Sequence, residues 1–149
     1  MTYTYFPSYH DTRYFTYCDL LFQATYNYWD KIGNLLALYF TPNLKPNKIY
    51  FGTVVNNIQS PFNNSNNFIW LKNFLDNDYK GLNNKRKEVV HYSNYSTGIY
   101  DSWLKNMTNE KEIEKLQNDI ENLTEYFKDH LNEALTGFEK ATRLIDEIQ

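Results

Sequence analysis

Arg86 and His91 are the side chains of this sequence whose types and spacing suggest chemistry. In Arg86-Lys87-Glu88-Val89-Val90-His91, a side chain that stays cationic at any ordinary pH stands five residues before one that changes protonation near neutrality. Those two groups are what metal-free RNA hydrolysis needs. RNA carries its own nucleophile in the 2′-hydroxyl, so a protein cleaves it by withdrawing that proton and stabilising the charge that develops on the phosphate. Imidazole suits the first task and guanidinium the second. Lys85 and Lys87 flank the arginine and, with Lys80, make the one local cationic patch suited to phosphate.

The other histidines offer less. His130 falls in an apolar seam, where a hydrogen-bonded core histidine is expected, and His10 has no partner pattern. Glu88-Val89-Val90-His91 is formally Glu-x-x-His, but a two-metal carboxylate bundle needs a second copy. Phe127 stands three before His130 and Pro7 three before His10, so no second copy exists. Neither a metal nor a cofactor is expected, since Gly-x-Ser-x-Gly is missing and the 5 glycines are scattered rather than gathered in a phosphate-binding loop. The plain alternative for Arg86 and His91 is a solvated helix face whose charges form ordinary surface pairs with Glu88.

These residues need a scaffold, and the periodicity supplies one. Phe15, Cys18, Phe22, Thr25, Trp29, Ile32, Leu36 and Tyr39 recur at alternating steps of three and four, which is one buried helix stripe. Asp11 is the expected N-cap and Thr41-Pro42 the stop, giving a helix over 11–40. Leu21, Tyr28 and Leu35 widen the stripe, so two neighbours are expected. Residues 42–66 hold Pro42, Pro46, Pro61 and many Asn around an apolar island, Ile49 to Val55, expected to dock as a short helix or an extended piece. A second helix is expected around Phe68 to Leu75, then a turn at Asp76-Asn77-Asp78 and Gly81. The basic segment from Leu82 to Tyr92 follows, and Ser93 to Met107 reads as a loop with a short helical turn.

From Asn109 the stripe Ile113, Leu116, Ile120, Leu123, Phe127, His130 or Leu131, Ala134, Phe138, Ala141, Ile145 and Ile148 runs nearly to the end. Asn109 with Glu112 is the expected cap, Gly137 the expected place of a close helix contact, and a coiled-coil seam the competing reading. The architecture expected is all-α, an up-and-down bundle of four to five helices in a single domain over 1–149.

Composition sets the remaining bounds. Cys18 is the only cysteine, so no internal disulfide is available. No stretch approaches the roughly 20 apolar residues of a membrane span, and a cytoplasmic protein is expected. The net charge of -3 divides into nine Lys/Arg against six Asp/Glu over 1–100 and six against twelve over 101–149, that is +3 and then -6. A general nucleic-acid coat is thereby excluded, but a local cationic site is not.

Arg-x4-His after a helical first half, inside a small all-helical chain, resembles the Arg-x4–6-His signature of the HEPN superfamily. In the first helix, Asp30-Lys31-Ile32-Gly33 is similar to a segment of several stand-alone prokaryotic members. The resemblance follows helix order over most of the chain, with these two segments its specific parts. It implies a homodimer in which two Arg-x4-His segments meet at a two-fold axis and form one composite ribonuclease site, with His91 as acid/base and Arg86 as phosphate binder. Asp30 and Lys31 would support that site, RNA would be the substrate, and an antitoxin or regulatory protein a further partner of a toxin or defence effector. The chain departs from the pattern in Lys87, directly after the arginine, and in Ser93, two places after the histidine. A noncatalytic helical module that binds RNA, a nucleotide or a protein through the same surface is the alternative, and a scaffold using the acidic C-terminal helix is a third.

Overall fold

A computed structural model of the chain describes residues 9–91, 102, 104–106 and 108–148. Among the described residues the regular structure is helical, and no strand occurs. No helix among them is long and apolar enough to cross a membrane. The expected loop over Ser93 to Met107 lies largely outside the described residues.

Helix α1, Tyr9–Phe40, buries Phe15, Cys18, Phe22, Thr25, Trp29, Ile32 and Leu36 as its periodicity predicts, whereas Tyr39 is turned outward. It already includes Tyr9, so Asp11 sits inside the first turn rather than at the cap expected for it. It stops at Phe40, where the Thr41-Pro42 step removes helical geometry from the preceding residue.

The apolar island becomes α2, Phe51–Asn57, with Phe51, Val54 and Val55 buried against α1. Its first turn rests on Gly33, where an added Cβ would stand 2.7 Å from both the Cα and N of Phe51. Asp30 Oδ1 then accepts a hydrogen bond from Phe51 N at 3.3 Å, satisfying one of the amides that a helix start leaves without a partner. Trp29, Asp30, Ile32 and Gly33 thus act together. Two side chains fill the core, one carboxylate holds the start of α2, and one missing side chain lets the backbones close.

Helix α3, Asn66–Asn77, is capped by Ser65, whose hydroxyl accepts from Asn67 N at 3.1 Å. After Asp78 alone, α4 runs over Tyr79–His91, so the turn expected near Gly81 is absent and Gly81 is helical, with open space where a side chain would stand. Beyond the basic segment come α5, Glu110–Glu121, and α6, Leu123–Asp146. The single long C-terminal helix of the sequence pattern is therefore broken at Asn122. Asn109 does precede α5, but its side chain makes no capping hydrogen bond.

Phe22 meets Phe127 at 4.7 Å between ring centroids, and the Trp29 ring lies where a Cβ on Gly137 would stand, so contact positions rise together and α1 and α6 run parallel. Helix α3 runs against them. Its Phe74 stacks on Trp29 at 4.0 Å, while Ser65 and Asn67 at its start hydrogen-bond to Glu147 beyond the far end of α6. Trp29 is the hub, wedged among Phe51, Phe74 and the bare backbone of Gly137. The close contact expected at Gly137 is found there.

Candidate functional site

Arg86 lies in the middle of α4 and His91 is its last residue. On one helix, residues five apart point about 140° away from each other. A single copy of α4 therefore does not turn these two positions to one side. The His91 side chain itself lies outside the described residues.

Arg86 is half-buried, and its guanidinium carbon stands 4.2 Å from the centroid of the Tyr26 ring on α1. That contact is cation–π, and Arg is the cation that makes it most often. Its Nε is buried with no hydrogen-bond partner. No carboxylate among the described residues comes within ion-pair distance of Arg86.

Tyr79 extends the same face of α4, being seven residues, or about two turns, before Arg86. Its ring stacks on Tyr26 at 5.6 Å, and its hydroxyl is buried beside Tyr26 and Asp30 without a well-formed hydrogen bond. Burial pushes the Tyr79 phenol well above its usual range, and Tyr26 and the Asp30 charge add to this, so it stays protonated. Asp30 completes the cluster. Burial lifts its carboxyl above its ordinary value; the amide of Phe51, then Arg86, Tyr79 and Lys31, pull it back in part. One face of α4 and one face of α1 therefore enclose an arginine, two tyrosines and a carboxylate.

Lys85, one residue away, turns to the other side. Its Nζ stands 4.4 Å from the centroid of the Tyr126 ring on α6 and 6.0 Å from that of Phe22. Together with Asp119, Asn122, Leu123 and Tyr126 it lines a cleft of about 290 Å³ where α5 passes into α6. Lys87 is exposed, as are Lys80 and Lys31. The structure thus brings Asp30 beside Arg86 and sends Lys85 to a separate neighbour.

His130 belongs elsewhere. It is buried, its Nδ1 lies 2.7 Å from Glu133 Oε2, and the Tyr126 ring meets its edge at 4.3 Å. Burial raises the Glu133 carboxyl, and the neighbouring His130 offsets part of that. This is the partnered core histidine that its place in the seam predicts. Among the described residues no group of three His, Cys, Asp or Glu side chains gathers as metal ligands do.

Sequence reasoning missed Tyr26 and Tyr79. The signal was present in helical spacing, since Tyr26 precedes Asp30 by one turn and Tyr79 precedes Arg86 by two, but 14 tyrosines in the chain hide any two of them.

The family model of HEPN_Cthe2314-like HEPN matches residues 1–145. The chain belongs to this HEPN family. No curated protein and no solved structure matches it.

Proposed function

We propose, from the premise of a HEPN chain, that this protein is a metal-independent endoribonuclease acting as a cytoplasmic homodimer with a composite Arg-x4-His site. Each subunit is a single all-helical domain and contributes one Arg86 and one His91. In its neutral form one His91 takes the proton of an RNA 2′-hydroxyl. The 2′ oxygen attacks the adjacent phosphorus, the bond to the 5′ oxygen breaks, and the second His91, protonated, gives that oxygen its proton. Products are a 2′,3′-cyclic phosphate and a 5′-hydroxyl end. Arg86 stabilises the charge that grows on the non-bridging oxygens, where a fixed cation contributes more than a mobile one.

The observation that carries this reading is the state of Arg86 in a HEPN chain: its guanidinium carbon lies over the Tyr26 ring, and no carboxylate among the described residues pairs with it. Lys85 and Lys87 would bind flanking phosphates, while Asp30 and Lys31 support the site. The two-fold arrangement removes the difficulty set by the helix, because Arg86 of one subunit can pair with His91 of the other. A toxin or defence effector held in check by an antitoxin or regulatory protein fits such an activity.

The test is cleavage of mixed RNA by the pure protein in the presence of a chelator. Wild type should cut, and Arg86→Ala and His91→Ala should each lose at least about a hundred-fold in rate, the lower end for a missing acid–base or charge-stabilising group. Cleavage unchanged in both variants would overturn the site.

A further inference from the structure

We infer that Tyr26 is a positioning residue, whose ring fixes the Arg86 guanidinium in advance so that its donor edge is presented to the scissile phosphate. This inference rests on the ribonuclease reading above and adds to it a residue on a different helix.

An arginine paired with a carboxylate uses its edge, because the planar fork matches the carboxylate and two parallel hydrogen bonds satisfy both charges. Arg86 does the reverse. Its guanidinium carbon lies over the ring of Tyr26 at 4.2 Å from the centroid, and no carboxylate among the described residues occupies the fork. Its Nε is already buried, so the terminal nitrogens are the part of the group left to meet a ligand. Such a ligand would be a tetrahedral oxyanion approaching edge-on, which is what a phosphodiester offers.

Tyr26 is itself fixed. Its ring stacks on Tyr79 at 5.6 Å, and Tyr79 is buried against Phe51 and Phe74, with ring centroids 5.2 and 6.3 Å away. The core therefore reaches Arg86 through two rings. Asp30, one turn along α1 from Tyr26, faces the same guanidinium and attracts it from a distance, adding a restoring force without blocking the fork. A free arginine side chain gives up much rotamer freedom when it grips a phosphate; here most of that ordering has happened on folding.

The experiment has two arms. The first uses the wild-type protein and reads the side-chain N–H resonance of Arg86 by NMR, assigned with Arg86→Lys. A guanidinium over a ring face gives a ring-current-shifted signal, and an unshifted signal overturns the anchoring whatever the activity. The second compares RNA cleavage by Tyr26→Phe and Tyr26→Leu. The Phe variant keeps the ring and should stay near wild-type rate. The Leu variant should lose roughly three- to thirty-fold, the range a cation–π contact supports from exposed to desolvated settings, mainly in kcat, because the flanking lysines still set binding. Equal kcat in the two variants, or a loss confined to KM, overturns the positioning role. A wild type that does not cut RNA overturns the ribonuclease reading, and the NMR arm still decides the anchoring.

Discussion

Asp30 does two things with one carboxylate, and they differ in their response to pH. As an acceptor for Phe51 N it holds the start of α2, and as a charge it faces Arg86. Because burial raises its pKa in the fold, the folded state binds this proton more tightly than the unfolded chain does. Stability from this group is thus present in acid and lost as pH rises through the raised folded value. Asp30→Asn keeps an oxygen acceptor and removes the charge. It should melt at or above the wild-type temperature at pH 7–8, with the gap closing near pH 4, while RNA cleavage falls because Arg86 loses its restoring charge. Thermal melts at the two pH values check this, and a large loss of stability confined to pH 7–8 would mean the charge stabilises the fold. At this scale the sequence displayed Arg86, His91 and Asp30 through their chemical types. It concealed Tyr26 and Tyr79, since an aromatic residue at helical spacing reads equally well as core.

Helices were legible where burial repeats and illegible where a contact from another element decides. The stripe of α1 predicted seven of its buried positions from Phe15 to Leu36 and its stop at Phe40. The α2 segment carries only seven residues between proline- and asparagine-rich flanks, and what makes it helical is Asp30 and Gly33, about twenty residues earlier on another element. The break at Asn122 was equally hidden, because the apolar steps continue across it without a fault. Two glycines give opposite tests of this account. Gly33→Ala drives a methyl into the backbone of Phe51, which cannot swing aside as a side chain can, and should cost about 2 kcal/mol. Gly81→Ala enters open space on an exposed helix surface and should stabilise by roughly 0.5–1 kcal/mol. Urea unfolding of both variants checks the pair. A neutral Gly33→Ala would mean that α1 and α2 do not approach as closely as described.

Across the whole molecule, the decisive fact is angular. Arg86 and His91 occupy one continuous helix at a spacing that turns their positions about 140° apart, so a single copy of α4 does not set both on one side. The proposed ribonuclease therefore draws its Arg86 and His91 from two chains, and under that proposal the cationic segment of α4, rather than the acidic C-terminal third, is where RNA would settle. Subunit mixing tests this most directly. Wild type and His91→Ala chains are unfolded together in equal amounts, refolded so that they pair at random, and assayed for RNA cleavage at constant total protein. A composite site requiring both subunits to be intact predicts about a quarter of the wild-type rate, since only that share of random pairs is wild type on both sides. A rate of about half, in simple proportion to the wild-type chains present, would contradict the account, because each chain would then be cutting alone.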